Sequence, residues 1–173
     1  VNSASMSADK MEELLFGSET IDNIQTGLLE QADGGILFFD EVADMPIGTQ
    51  SKILRVLVDQ EFIRIGGKSK ISVDIRVISA SSRNLLVEVE EKKFREELYH
   101  RLNVVPISVP SLISRLDDIP EIADHFINEL SETQGLPQRA LSKEAIAQLQ
   151  TREWPGNIRQ LRNVLERSLI LGS

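Results

Sequence analysis

The sequence predicts an α/β domain followed by a separate all-helical unit, and three observations support this division. The unbroken apolar run Ile36–Phe39 stands between two glycines and two acids, which is typical of a parallel strand covered on both faces. Apolar runs of this kind alternate with helical patterns as far as Val109, as in α/β sheets. Beyond that point only helical periodicity remains, so we expect domains at residues 1–110 and 111–173.

The elements of the first domain follow in order along the chain. Met11, Leu14 and Leu15 recur at helical spacing, and Gly17 ends that helix. Pro46 is tolerated near the first turn of a second helix, which carries an apolar stripe on one face. The remaining expected elements are a hairpin of 62–65 with 71–74, a strand that runs into Ser79, helices at 85–89 and 94–102, and a third strand at 104–107.

Helical periodicity dominates the second domain. The first helix of this domain follows the i, i+3, i+4, i+7 rule closely from Ile119 to Leu130, and a second is expected at 142–150. A third helix is expected from about Ile158 to Leu169, with Asn157 as its N-cap. We expect these helices to form a separate all-helical unit without strands.

Composition excludes several classes of protein and site. The chain has no cysteine, which excludes disulfides, thiol catalysis and thiolate metal sites. Acids outnumber bases, 27 to 19, and this acidic balance disfavours direct DNA binding by the segment. No run approaches the roughly 18 apolar residues of a membrane span. No charged-then-apolar leader begins the sequence, so we expect a cytoplasmic location without membrane partners.

Asp40 and Glu41 follow the apolar run Ile36–Phe39 directly. Ligands of open α/β sheets bind beyond the carboxyl ends of the strands, where these two acids would lie. Asp40 could hold Mg²⁺, since hard cations take oxygen ligands, and Glu41 could orient and deprotonate an attacking water. A solvated acidic turn after a strand is an equally good interpretation of these two residues taken alone.

Further motifs follow the paired acids along the chain. They are Met45-Pro46, Gln50, Leu54-Arg55-Val56-Leu57, Arg64-Ile65-Gly66-Gly67, Asp74-Ile75-Arg76-Val77-Ile78, Phe94 to Val104, Asp118-Ile119-Pro120 and Trp154-Pro155-Gly156-Asn157-Ile158-Arg159. With these motifs, nearly the whole chain resembles the AAA+ central domain of sigma-54-dependent bacterial transcription activators. The resemblance implies an AAA+ P-loop-type parallel sheet flanked by helices, incomplete at its N-terminal part, followed by an all-α lid.

The same resemblance implies a function. Members of this family are ATP-hydrolysing domains of two-component response regulators, and they use ATP and Mg²⁺. They assemble as homo-oligomeric rings, and their partner is RNA polymerase carrying sigma-54. A chain of this type would take part in transcription regulation, here of the nitrogen-response kind.

Asp40 and Glu41 match the Walker B pair of the family, and Arg95 and Arg101 match its two arginine fingers. Such arginines stabilise the charge of a transferring phosphoryl group bound by a neighbouring subunit. Six positions on one helix amount to about 600°, so the two side chains cannot share a face of a continuous helix. We therefore expect one of them at the end of the helix, or different roles for the two. The alternative is that the two glutamates after Arg95 merely pair with these arginines on a solvated helix.

Three further positions are matched with nucleotide contacts. Arg159 matches the sensor II arginine; its alternative is a surface arginine above Trp154. Ser82 stands where the family has the sensor I asparagine, and its shorter hydroxyl could still contact a water or a phosphate. Asn2, at what looks like the end of a strand, matches the residue that hydrogen-bonds the Walker B glutamate as a switch.

Two family motifs are missing from the 173 residues. No Gly-x-x-x-x-Gly-Lys-Ser/Thr loop is present, so the chain looks truncated, and we expect this polypeptide to bind ATP weakly or not at all. The Gly-Ala-Phe-Thr-Gly-Ala loop is also absent, and its place holds the shorter segment Thr20–Gly27. This resembles the NtrX branch of response regulators and puts the sigma-54 contact in doubt.

Two functions therefore stay open on the sequence. One is the ATPase domain of a response regulator, supported by Asp40, Glu41 and the three matched arginines. The other is a non-hydrolysing AAA+ scaffold for oligomerisation and signal relay, without sigma-54 remodelling, supported by the short segment Thr20–Gly27. A clamp-loader ATPase fits the paired acids but not the segment Trp154–Arg159.

Overall fold

A computed structural model describes residues 1–172 of the chain, and two compact units can be distinguished, Val1–Pro106 and a second that begins at Ile107. The expected domain boundary after residue 110 stays a prediction. The first unit contains, in chain order, α1 (Ala8–Phe16), β1 (Ser18–Glu19), β2 (Ile24–Gln25), α2 (Leu28–Gln31), β3 (Ile36–Phe39), α3 (Ile47–Asp59), β4 (Glu61–Ile63), β5 (Lys70–Ser72), β6 (Arg76–Ser79), α4 (Leu85–Glu90) and α5 (Glu96–Leu102). The second contains α6 (Ile119–Gln134), α7 (Lys143–Thr151) and α8 (Asn157–Leu171).

A parallel sheet forms the centre of the first unit. β3 pairs with β6 in parallel, with Phe39 opposite Ser79. On its other side, the end of β3 meets the start of the chain, where Asn2 forms a parallel bridge with Asp40. The Asp40 amide donates to the Val1 carbonyl at 2.8 Å, and the Ser3 amide donates to the Asp40 carbonyl at 2.9 Å. The carboxyl ends of β3 and β6 therefore meet at one edge of the sheet.

β3 is covered on one face only. Leu37 and Phe39 are buried, with exposed fractions of 6% and 0%, whereas Ile36 and Phe38 are 60% and 46% exposed. The expectation of a strand covered on both faces is therefore wrong for the described residues. The reason is that the apolar cluster of this unit, which includes Met11, reaches the Leu37 face and not the opposite one.

The expected third strand at 104–107 is also wrong for this structure. The chain there forms no strand, and Val104, Val105 and Ile107 are between 75% and 83% exposed. A strand forms when its backbone groups can pair with those of a neighbour. No described strand pairs with this segment, so its apolar side chains lie in solvent.

Two hairpins meet beside the end of α1. β1 pairs with β2, β4 pairs with β5, and the two hairpins are joined where the Glu19 amide donates to the Ile65 carbonyl at 2.8 Å. Arg64 binds both oxygens of Glu30, the closest at 2.8 Å, and one oxygen of Glu19 at 2.9 Å. The segment Thr20–Gly27 therefore contains the turn and the second strand of the first hairpin, and the flanking residues Glu19 and Glu30 make the contacts to Ile65 and Arg64.

The second unit is built on a helical core of its own. α6 packs on α8, and the core includes Leu112, Ile119 and Leu161, each with no exposed surface. The expected cap of α8 is wrong: Gly156 is the N-cap, and Asn157 is the first helical residue. The Asn157 side chain instead accepts the Leu112 amide at 2.8 Å, because the 3-10 helix that begins there presents a backbone N–H to it. Among residues 1–172, every helix is too short or too polar to cross a lipid bilayer.

The close approach of α1 to the segment that follows β2 generates a stability prediction. A Cβ at Gly27 would lie 2.3 Å from the Leu15 carbonyl oxygen, whereas a Cβ at Gly48 in α3 would meet nothing within 4 Å. We expect Gly27→Ala to lower the free energy of unfolding by about 2 kcal/mol or more, because backbone must move. Gly48→Ala, the matched control, should raise the free energy of unfolding by about 0.5 kcal/mol. Urea unfolding of both variants measures this; equal stabilities would contradict the packing described.

Candidate functional site

The candidate site consists of Asp40 and Glu41 at the carboxyl end of β3. Phe39, with no exposed surface, anchors the strand immediately before them. Ala80, just after β6, donates its amide to the Phe39 carbonyl at 2.8 Å and accepts the Val42 amide at 2.9 Å. The two acids are therefore bracketed by hydrogen bonds to one residue, and they protrude at the sheet edge where ligands of such sheets bind.

Glu41 has a backbone conformation that few residues other than glycine adopt. Its φ of 51° and ψ of 52° lie in the left-handed region, which costs a non-glycine residue on the order of 1 kcal/mol. Strain of this kind persists only where the surrounding structure holds it, and here the hydrogen bonds of Ala80 hold both flanks. The result is a backbone that departs from the strand conformation at Glu41.

Ser82 holds that carboxylate with two hydrogen bonds. One Glu41 oxygen accepts the Ser82 amide at 2.9 Å and the Ser82 hydroxyl at 2.8 Å. The Ser82 backbone N–H lowers the pKa of Glu41 below its ordinary value most, followed by the hydroxyl, and the charge of Arg83 acts in the same direction. Glu41 is thus kept ionised and oriented, with its second oxygen available for a further partner.

Asn2 lies beside the first acid. Its side-chain amide donates to Asp40 Oδ2 at 3.4 Å, and its carbonyl oxygen accepts the Ala4 amide at 3.0 Å. The sequence comparison matched Asn2 with a partner of the glutamate, whereas this contact is with the aspartate. The switch role of Asn2 stays a prediction.

Arg95 lies at the start of α5, with α3 beneath it. It is the N-cap residue and has extended backbone angles, so the expectation that one of the two arginines lies at a helix end is confirmed. Its amide donates to Gln50 Oε1 at 2.8 Å, and its Nη1 donates to the Ser51 hydroxyl at 3.2 Å. Its Nε lies 3.6 Å from a carboxylate oxygen of Glu97, so the expected pairing with a following glutamate is present as well.

Arg101 contacts the carboxyl-terminal end of α3. Its Nη2 donates to the Leu57 carbonyl at 2.6 Å, in the last turn of α3. Carbonyls of a last turn lack partners within their helix, and a guanidinium there also complements the helix dipole. α3 therefore supports both arginines, one in its first half and one at its end.

Comparison with known proteins accounts for both units. The model of the family described as Sigma-54 interaction domain matches residues 1–108, and that of the AAA+ ATPase lid domain matches residues 114–173. The chain belongs to the sigma-54 interaction domain family. Its fold is therefore the AAA+ fold, as the sequence predicted.

The relatives of this sigma-54 interaction domain include a regulator of nitrogen assimilation and a DNA-binding regulator of transcription. The chain is 50% identical over 173 residues to the nitrogen assimilation regulatory protein NtrX of Azorhizobium caulinodans, with 99% of the chain and 38% of the relative covered. It is 44% identical over 168 residues to the DNA-binding transcriptional regulator NtrC of Escherichia coli K12, with 94% and 36% covered. A crystal structure of NtrX from Brucella abortus superposes with a TM-score of 0.93 at 49% identity, covering 99% of the chain and 39% of that structure. Structures of the same NtrX in complex with ADP and with ATP superpose with a TM-score of 0.92. The chain thus spans about two fifths of the length of these relatives.

Arg159 lies in the AAA+ lid unit, as the third residue of α8. Its side chain is exposed and forms no hydrogen bond or ion pair with the side chains or backbone of residues 1–172. The arginine over the Trp154 ring is Arg152, 5.5 Å from the ring centroid, so the alternative for Arg159 as the arginine above that ring does not apply. Its sensor role stays a prediction.

Two further residues of the site have no assigned role in the sequence comparison. Arg83 pairs with Asp44 and, at 3.1 Å, with the buried Glu88, so it ties the turn after Glu41 to α4. Gln50 is completely buried and contacts Arg95. For Gln50, the sequence offered one signal, a glutamine at a position where the helical pattern predicts burial. For Arg83, no feature of the neighbouring sequence predicted a role.

The donor set of the site fits a metal ion shared with a phosphate. No cluster of three or more metal-ligating side chains occurs in the described part of the chain. Mg²⁺ in phosphate sites is held by one or two carboxylates together with phosphate oxygens and waters. Asp40, at the sheet edge, can supply such a carboxylate.

The contacts of Ser82 generate a prediction for the pKa of Glu41. We expect Ser82→Ala to raise that pKa toward the ordinary carboxyl value without reaching it, because the hydroxyl is lost and the backbone N–H remains. Since the native pKa of Glu41 is depressed, its ionised form stabilises the folded state at a pH above the ordinary carboxyl pKa. This stabilisation disappears as the pH falls through the native pKa. NMR titration of the Glu41 carboxylate without Mg²⁺ measures the shift. Ser81→Ala is the control, because that hydroxyl binds the Arg83 carbonyl instead; an equal shift in both variants would refute the assignment.

Proposed function

We propose that this chain is the ATP-hydrolysing part of an NtrX/NtrC-like response regulator of transcription. The observation that carries the proposal is the left-handed Glu41, held by Ser82 beside Asp40 at the carboxyl edge of a parallel sheet. The ATP and ADP complexes of NtrX from Brucella abortus support nucleotide as the ligand. The alternative of a non-hydrolysing scaffold finds no support in these comparisons.

Asp40 and Glu41 divide the work on the nucleotide in this proposal. Asp40 holds Mg²⁺ directly or through a water, and the ion, when bound, neutralises charge on the phosphate oxygens. Glu41 binds the attacking water through the oxygen that Ser82 does not use, orients it and accepts its proton. The backbone hydrogen bonds of Ala80 keep both carboxylates in place during this step.

Arg95 and Arg101 act on the nucleotide of a neighbouring subunit in a homo-oligomeric ring. Both side chains reach solvent: that of Arg95 is 37% exposed, and Arg101 lies at the surface. A guanidinium stabilises the charge of the transferring phosphoryl group through its planar set of N–H donors. Arg159 is a further candidate for binding phosphate, and its exposed side chain forms no hydrogen bond or ion pair among residues 1–172.

The phosphate-binding loop must be supplied by residues other than these. The 173 residues contain no Gly-x-x-x-x-Gly-Lys-Ser/Thr motif, and the relatives are more than twice as long as the chain. In the proposal, a segment outside the 173 residues provides the backbone N–H groups and the lysine. Nucleotide turnover is therefore a property of the longer protein.

Substitution of the acids and arginines tests hydrolysis in the longer protein. We expect Glu41→Gln to lower kcat for ATP by about 10²–10⁴-fold because the base is lost. Arg95→Ala or Arg101→Ala should lower kcat by about 10³-fold or more because charge stabilisation is lost. Steady-state phosphate release measures the rates. Glu13→Gln and Arg167→Ala, at exposed positions of α1 and α8, serve as controls and should change kcat less than twofold; unchanged rates in the site variants would refute the proposal.

The sigma-54 contact is tested separately. The family description supports sigma-54 as the partner, but the segment Thr20–Gly27, which contains the turn and the second strand of a short hairpin, lacks the Gly-Ala-Phe-Thr-Gly-Ala motif. Its turn is closed by the Thr20 amide, which donates to the Asn23 carbonyl at 2.8 Å. We therefore expect no ATP-dependent open complexes when the longer protein is added to sigma-54 holoenzyme on a promoter. Open complexes formed at the rate of an NtrC control would contradict this expectation.

A further inference from the structure

Gln50 is a completely buried amide in the first half of α3, and it makes three hydrogen bonds to the backbone. Its Nε2 donates to the Met45 carbonyl at 2.7 Å and to the Lys93 carbonyl at 3.0 Å. Its Oε1 accepts the Arg95 amide at 2.8 Å. One side chain thus joins the turn after β3 to the segment that leads into α5.

The chemistry of these partners dictates the orientation of the amide. Two carbonyl oxygens can only accept, and a backbone N–H can only donate. A rotated amide would place its oxygen against two oxygens and its NH₂ group against the N–H of Arg95. Gln50 therefore has one arrangement, and neither an apolar side chain nor a carboxylate can reproduce all three bonds.

The residue after Gln50 acts on the same arginine. The Ser51 hydroxyl accepts Nη1 of Arg95 at 3.2 Å and donates to the Ile47 carbonyl at 3.2 Å. Consecutive residues of α3 thus hold the backbone and the guanidinium of Arg95. Since Arg95 is an N-cap residue, its amide has no acceptor within α5, and Gln50 supplies one.

The Nε2 group of Gln50 contacts a residue that lies close to Glu41 along the chain. The Asp44 amide donates to the Glu41 carbonyl at 2.9 Å, and Met45, whose carbonyl binds Gln50, ends this turn. A change in the backbone at Glu41 would therefore reach the Met45 carbonyl through one hydrogen-bonded turn. From there, the Gln50 amide connects it to Arg95.

We propose that Gln50 is a positioning residue for Arg95, which sets where the guanidinium is presented and connects it to the turn after Glu41. The proposal rests on the proposed function in one respect, the role of Arg95 toward a neighbouring nucleotide. The hold of Gln50 on the Arg95 backbone does not depend on that role. The two parts can therefore fail separately.

Native-state hydrogen exchange of the longer protein tests the hydrogen bond from the Arg95 amide to Gln50 without any substitution. We expect the Arg95 amide to exchange at least 100-fold more slowly than the amide of Glu97, which lies in the first helical turn without an acceptor among the described residues. Equal exchange rates at the two positions would overturn the proposal. This measurement also decides the matter if substitution of Gln50 prevents folding.

A double-mutant cycle tests the effect on turnover. Gln50→Met keeps the length of the side chain and removes its hydrogen bonds; we expect kcat for ATP to fall at least 10-fold with KM changed less than threefold. In the Arg95→Ala background, the same substitution should change kcat less than twofold, since both act through one group. The matched control is Thr49→Val, a neighbouring residue with no exposed surface whose hydroxyl faces Glu12 and not Arg95. It should change kcat less than twofold in either background.

The remaining outcomes separate the two hypotheses. An equal fall of kcat with and without Arg95 would mean that Gln50 supports the fold alone, and would overturn the positioning role. An unaffected kcat in Arg95→Ala would instead refute the proposed role of Arg95. In that case, faster exchange of the Arg95 amide in Gln50→Met still supports the hold of Gln50, and unchanged exchange overturns it.

Discussion

The pair of hydrogen bonds that Ala80 makes to Phe39 and Val42 is the constraint on which the candidate site depends. One residue binds the backbone on both sides of Asp40 and Glu41. The chain must therefore turn out of the strand within these two residues. The left-handed backbone of Glu41 follows from that limit, and the strain is offset by the buried Phe39 on one side and by Ser82 on the other. The arrangement orients a carboxylate before any ligand arrives, which is what electrostatic preorganisation requires.

α3 has a comparable role for the arginines. Its first half holds Arg95 through Gln50 and Ser51, and its last turn holds Arg101 through a free carbonyl. Ile53 and Val56 bury this helix against the core, so the two guanidinium groups share one supporting element. The first residues of this helix follow directly on the turn that contains Glu41. The acids and the arginines therefore belong to one continuous hydrogen-bonded structure.

Some sequence predictions were wrong for reasons of packing. Ile36 and Phe38 are apolar, and their burial could not be inferred from composition, because burial depends on which elements cover each face. The run at 104–107 has a strand pattern, yet a strand also requires a partner, which no pattern in its own residues can supply. Asn157 has the composition of a cap, but its side chain is used by Leu112, a residue 45 positions away.

The sequence by itself determined the fold class, the helices with strong periodicity, the family and the position of the acids at a strand end. These properties are local, since apolar period and motif spacing are written in neighbouring residues. Only the tertiary structure decided that Ser82 holds Glu41, that Arg83 binds Asp44 and Glu88, and that Gln50 accepts the Arg95 amide. Glu41 and Ser82 are 41 positions apart, and Gln50 and Arg95 are 45 apart. Contacts at such separations depend on how strands and helices pack, and the spacing of residues along the chain does not contain that information.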